Sequence, residues 1–312
     1  MKRVLITGAR GFLGRHCLPL LLERGYEVHA VSRLAHRHPL FDRVAWHERD
    51  LLTPGAPASL LRTLRPEFLL HFAWYAVPGK FWKAPENRVW VRASRELMQA
   101  FAENGGERFV GAGSCAEYGR HAGECEETTT PLLPDSLYGK CKLESQQHLE
   151  LLSRQRGLSA AWGRIFFIYG PFEEPNRIVA YVIRCLLSGT AAFCSNGTQI
   201  LDFLHVSDVA SAFVTLLGAS TTGPVNVGSG NPVCLSEVLL EIGRQTGRSV
   251  LIQFGVRESP AIPDRIWANI NRLTNEVGWH PRLSLEEGIR QTLNWWKGSL
   301  ERAATGSHGS PT

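Results

Sequence analysis

The sequence predicts an α/β protein, a doubly wound parallel sheet carrying a smaller α/β lobe. Three observations lead there. Short β-branched runs alternate with longer amphipathic patterns through the first half of the chain, and a glycine-rich turn joins the first run to the first helix. After residue 170 the alternation gives way to shorter segments broken by Pro171, Pro175 and Gly189.

Taken in order, Val4, Leu5 and Ile6 lead a strand over residues 4–7, and an apolar stripe predicts a helix over 12–24 that Gly25 ends. Strands follow at 27–32, 43–46, 68–72, 108–113 and 160–166, with helices at 58–64, 86–103 and 137–155 between them. Beyond the change in pattern, a helix is expected at 205–217, a strand returning to the main sheet at 225–227, and helices at 235–246 and 284–296. The small, polar tail at 298–312 is expected to be disordered. Residues 1–165 and 205–227 then form the main domain, and 166–204 with 228–297 the lobe.

The chain has 312 residues, 44% of them hydrophobic and 20% charged, enough to bury a large core. Its net charge of +5 is scattered without a basic block, which argues against a nucleic-acid partner and for small acidic ligands such as phosphates. The seven cysteines form no C-x-x-C pair and read as reduced thiols of a cytoplasmic protein. Thr7, Gly8 and Arg10 interrupt the apolar run that follows Met1-Lys2-Arg3, so no signal peptide forms, and no stretch is long enough to span a membrane. The histidines, His36 and His38 included, lack metal-ligand spacing, and no metal is expected.

Thr7-Gly8-Ala9-Arg10-Gly11-Phe12-Leu13-Gly14 stands between a strand and a helix, the context of a dinucleotide-binding turn. Glycines let the backbone approach a pyrophosphate, which free N–H groups at the helix start then bind. At the end of the second strand, where an acidic residue would take the ribose 2′-hydroxyl of NAD, stand Ser32 and Arg33. Together with Arg10 they suit a 2′-phosphate, so the expected cofactor is NADP(H). Asp50 and Leu51 either contact adenine or form a plain turn.

Tyr138 and Lys142 are four apart on one helix face, so the lysine charge is expected to lower a phenol pKa ordinarily about 10 and make Tyr138 a general acid or base. Ser114 ends the strand at 108–113 and can hold the reacting oxygen beside it. Trp74, Tyr75, Phe81, Trp82 and Trp90 offer faces either for a sugar ring or for core and dimer packing.

Thr-Gly-x-x-Gly-x-x-Gly, then Ser114 before Tyr118-Gly119, then Tyr138-x-x-x-Lys142 resemble the extended short-chain dehydrogenase/reductase family, the NAD-dependent epimerase/dehydratase group acting on nucleotide sugars. Arg164 to Pro171, Asp202 to Asp208, and Gly278-Trp279-x-Pro281 followed by Ser284-Leu285-Glu286-Glu287-Gly288 resemble its later motifs, so the likeness spans residues 2–297. It implies a Rossmann fold and a homodimer formed through a helical bundle. Tyr138 becomes the proton donor or acceptor, Lys142 also a ligand of the nicotinamide ribose, and Ser114 a binder of the substrate oxygen. Phe72, Ala73 and Ile165 flank the cofactor. A nucleotide sugar would be met by Trp74, Cys115, Ala116, Phe167, Arg177, Arg257 and Arg265. Leu201 and Phe167 depart from the family, replacing its diphosphate-facing Arg and an Asn.

Family members that dehydrate sugars carry an acidic pair directly after the hydroxyl residue, where this chain has Cys115 and Ala116. Those that epimerise beside a ketone carry a cysteine and a histidine, where Ala116 and Arg177 stand. The expected reaction is therefore NADPH-dependent reduction of a ketone on a nucleotide-linked sugar, a 4-keto-6-deoxyhexose first. A C4 epimerase with retained NAD is the alternative, and a catalytically silent NADP(H) sensor is a third reading that the intact Tyr138 and Lys142 oppose.

Overall fold

The computed structural model describes residues 2–34, 42–258 and 263–304; His36 and His38 lie outside them. β1 (Arg3–Thr7), α1 (Gly14–Glu23), β2 (Glu27–Ser32), β3 (Ala45–Glu48), α2 (Ala56–Leu64), β4 (Phe68–His71), α3 (Glu86–Glu103) and β5 (Arg108–Ser114) form the first half. A short β6 (Gly123–Cys125), α4 (Leu137–Arg156), β7 (Ser159–Ile165) and β8 (Phe167–Tyr169) follow. The rest comprises α5 (Ile178–Leu187), β9 (Ala192–Phe193), β10 (Ile200–His205), α6 (Val206–Gly218), β11 (Gly223–Val227), β12 (Pro232–Cys234), α7 (Leu235–Thr246), β13 (Ile252–Gln253), β14 (Arg265–Ala268) and α8 (Leu285–Ala304).

Seven parallel strands make the main sheet in the order β11-β7-β5-β4-β1-β2-β3. Strand alternation sends Val4 and Ile6 to one face and Leu5 to the other. The first pair packs with Leu18, Leu21 and Phe213 under α1 and α6, while Leu5 joins Leu61, Met98, Phe101 and Phe109 under α2 and α3. Chain order reverses between β1 and β4, the switch point where such sheets bind ligands beyond their carboxyl ends.

A second sheet, β12-β10-β14-β6 with β8 beside β10, is backed by α5, α7 and α8 through Val182, Ile183, Leu239, Ile242 and Ile289. β6, which lies before residue 165 in the chain, pairs here with β14.

Three expectations need correction. The first helix starts at Gly14 rather than residue 12, because the Gly11 N–H bonds the Gly8 carbonyl and keeps the turn open to Leu13. His205 ends strand β10, and its ring caps α6 by accepting from the Ser207 N–H at 3.4 Å. The tail is helical as far as Ala304: docking of Leu293 and Trp296 carries α8 onward, and Gly298 costs only about 1 kcal/mol against alanine.

Candidate active site

A cleft of about 980 Å³ opens at the carboxyl ends of β1, β4, β5 and β7. Its floor is the glycine-rich turn. Gly8 has φ +67°, and a Cβ there would stand 2.7 Å from the Ala73 nitrogen; one at Gly14 would stand 2.2 Å from the Gly8 carbonyl. Only glycine permits so close a backbone approach.

The turn is tied to β4 through Thr7. Its hydroxyl accepts the N–H groups of Phe72 and Ala73 at 3.2 and 3.1 Å, so its one proton goes to His71 Nδ1 at 2.7 Å. His71 Nε2 therefore carries the ring proton and donates to Ser94 Oγ at 2.8 Å. Burial pushes the His71 pKa down to about 3, which keeps the ring neutral.

Ser114 ends β5 and caps the following turn, accepting the Ala116 N–H at 3.2 Å. Tyr138 and Lys142 share the first turns of α4, whose start is capped by Ser136 Oγ accepting from Gly139 at 3.0 Å. The Tyr138 ring sits edge-on to Phe81 and Trp82, at centroid separations of 4.8 and 5.9 Å. Lys142 Nζ donates to the Ala112 carbonyl at 2.9 Å.

The expected electrostatics are corrected here. Burial pushes the Tyr138 phenol well up, and outweighs the pull of the Ser114 hydroxyl against it. Burial instead takes the lysine itself down to about 7, against a raising influence from Glu117. Desolvation dominates for both groups: Lys142 is buried in the cleft wall, and the half-buried Tyr138 is packed against Phe81 and Trp82.

Sequence reasoning missed the support beneath Ser114. The buried Glu117 carboxylate accepts the Ser114 N–H and the Trp162 indole N–H, each at 2.9 Å, and pairs with Arg164. Glu117, three residues past Ser114, and Arg164 within apolar β7 were the available signal.

Gly11, Phe12, Leu13, Phe72, Ala73 and Ile165, expected beside a cofactor, line the cleft. Arg10, Ser32, Arg33, Asp50 and Leu51 lie beyond that lining. Ser32 closes β2 and Arg33 is exposed just past it. Asp50 Oδ1 accepts the Leu52 N–H at 3.0 Å and Leu51 is buried in the core, the arrangement of a plain turn.

Trp74, Cys115, Ala116, Phe167 and Arg177, expected to meet a substrate, also line the cleft, as do Lys83 and Arg120, which sequence reasoning passed over. Arg177 pairs with the buried Glu173 at 3.1 Å. Burial holds the Cys115 thiol up at about 12, so it stays protonated. Arg257 and Arg265 are not brought to this lining: Arg257 donates to the Tyr181 hydroxyl at 3.1 Å, and Arg265 lies over Trp267. Leu201 is buried in the lobe core. Among the described residues no group of histidine, cysteine and carboxylate side chains could hold a metal, and no helix is long and apolar enough to cross a membrane.

A glycine-rich turn at the switch point, with Ser114, Tyr138 and Lys142 in the same cleft, defines an extended short-chain dehydrogenase/reductase. The chain belongs to the NAD dependent epimerase/dehydratase family, whose model matches residues 4–228. It is similar to UDP-glucuronic acid decarboxylase 1 of Xenopus tropicalis, 25% identical over 98% of this chain and 75% of that protein. UDP-glucose 4-epimerase of Azospirillum brasilense is 26% identical over 99% of this chain and 95% of its own. Among solved structures, MoeE5 in complex with UDP-glucose and NAD is 30% identical, covers 96% of this chain and 99% of its own, and superposes with a TM-score of 0.83.

Proposed function

We propose that the protein is a cytoplasmic NADP(H)-dependent ketoreductase of nucleotide-linked sugars, acting on a 4-keto-6-deoxyhexose. The observation that carries this reading is the wall beside Ser114, where Cys115 and Ala116 supply neither a second acid nor a second base. Elimination and carbon-acid epimerisation need such a group; reduction of a ketone does not. Phe166, Phe167, Ile168 and Ile266 make the neighbouring wall apolar, which suits a methyl group better than a hydroxyl or carboxylate.

The residues present fit a dinucleotide. Gly8 and Gly14 leave a cradle that a Cβ would fill, Arg10 and Arg33 suit a 2′-phosphate, and Lys142 can hold the nicotinamide ribose. Bound NADPH would supply the hydride. Tyr138, kept protonated by burial, donates the proton that the carbonyl oxygen needs on becoming an alcohol, and Ser114 holds that oxygen in line. Lys83, Arg120 and Arg177 are cleft cations that a phosphate could meet. A homodimer through α3 and α4 accords with the exposed Val89 and Leu151 on those helices.

A C4 epimerase with retained NAD is the second reading. It is favoured by the NAD and UDP-glucose bound to MoeE5, and by the Glu48 carboxylate beside Ser32 in the sheet register.

The two readings separate when NADPH and NADH are titrated into the purified protein and nucleotide-linked keto sugars are offered. Preference for NADPH with turnover of the keto sugar is expected. Stoichiometric NAD released on denaturation, with interconversion of nucleotide hexoses, would overturn the reductase.

A further inference from the structure

Trp74 follows β4, and its indole lies against Lys142, with Nζ 3.8 Å from the ring centroid. The indole is held from behind. Its Nε1–H donates to Asn87 Oδ1 at 2.8 Å, and the fully buried Asn87 gives its amide protons to the carbonyls of Phe81 and Ala84. The Trp90 ring stacks beside it, with the planes 26° apart.

Lys142 is 4% exposed, and among the hydrogen bonds of the described residues its ammonium has one partner, the Ala112 carbonyl on β5. Other groups face it from each packed element. Tyr138 and Cys141 do so from α4, the neutral His71 from β4, Glu117 from beyond β5, and the Trp162 ring from β7 at 5.9 Å. Glu117 is already paired with Arg164. An aromatic face is the one apolar surface that attracts a cation, and that attraction grows when water is excluded.

We propose that Trp74 is a positioning residue whose π face holds the Lys142 ammonium charged and fixed against Ala112, one helical turn from Tyr138. The hold is a property of the protein alone; its consequence for turnover rests on the reductase reading above. With burial drawing the Lys142 pKa down to about 7, a modest change in this hold alters the charged fraction at working pH. Loss of the aromatic face removes the attraction, which at constant burial makes deprotonation about tenfold easier.

The test labels lysine Cε with carbon-13 and follows Lys142 by NMR against pH in the full chain, its signal assigned by its loss in Lys142→Arg. Trp74→Leu should lower the midpoint by about one pH unit, and Trp74→Phe should stay close to wild type. Tetrafluorotryptophan inserted at 74 preserves shape and indole N–H while weakening the face, so it separates the π effect from any packing defect. It should shift the midpoint in the same direction as leucine. A fluorinated protein that titrates with wild type, or a phenylalanine variant that shifts as far as leucine, would overturn the proposal. If the midpoint moves while the alkaline limb of keto-sugar turnover does not, the hold stands and the catalytic part assigned to Lys142 falls.

Discussion

Glu117 Oε2 lies 2.7 Å from Arg164 Nε, and both side chains are at most 1% exposed. The pair links the strand end that bears Ser114 to the neighbouring β7. Arg164 also donates to the Tyr118 hydroxyl at 3.1 Å, which donates onward to Asn226 on β11 at 2.7 Å. Removing one member of such a pair leaves the other charged, buried and uncompensated. Glu117→Gln keeps the shape and should lower stability by about 3 to 5 kcal/mol, read by urea denaturation. A loss below about 1 kcal/mol would show that Arg164 finds other compensation.

Tyr138→Phe removes only the proton-bearing oxygen. Turnover of a keto sugar should fall about a hundred- to ten-thousand-fold while NADPH affinity stays near wild type. Ser114→Ala loses one hydrogen bond and should cost roughly tenfold. Steady-state kinetics with parallel coenzyme titrations check both, and a serine effect larger than the tyrosine effect would exchange their roles.

Arg33 is exposed at the end of β2, with freedom to reach a 2′-phosphate. A charge-assisted bond there contributes on the order of 1.5 to 3 kcal/mol, so Arg33→Ala should weaken NADPH about tenfold or more and leave NADH nearly unchanged. Fluorescence titration of both coenzymes reads the difference; equal losses would remove Arg33 from coenzyme choice.

Two buried histidines contribute to the loss of stability in acid. Burial takes His71 to about 3 and His205 to about 4, from an ordinary 6.5. Above pH 6.5 both are neutral folded or unfolded and contribute no pH dependence. As pH falls below 6.5 the unfolded chain binds protons that the folded one refuses, so stability drops by up to about 1.4 kcal/mol per pH unit for each histidine. The His205 contribution levels off near pH 4 and that of His71 near pH 3. Denaturation midpoints measured from pH 7.5 to about 4 should show this slope, and it should shrink in His205→Gln.

Much of the first half of the chain was legible because its signals are local. The run Val4 to Ile6 before Gly8, and Tyr138 four residues before Lys142, need only strand alternation and helix spacing to be placed. Less was legible in the lobe. Its sheet draws β6 and β14, far apart in sequence, into one parallel pair, and apart from six-residue β10 its strands of three or four residues leave little periodicity. Arg257 and Arg265 were chosen for charge alone, and charge says nothing about direction; one stacks on Tyr181 and the other lies over Trp267.

The sequence by itself determined the doubly wound architecture, the glycine turn and the family, because those depend on residue order, periodicity and backbone freedom over short spans. Tertiary structure alone decided the electrostatics of the cleft. The fates of Tyr138, Lys142 and His71 depend on how completely water is excluded, and exclusion is the work of residues remote in sequence: Trp74, Phe81 and Trp82 from the loop after β4, and Trp162 from β7. Desolvation scales with burial from all sides, so a spacing of four between a tyrosine and a lysine could place the pair without revealing that burial would raise one pKa and lower the other.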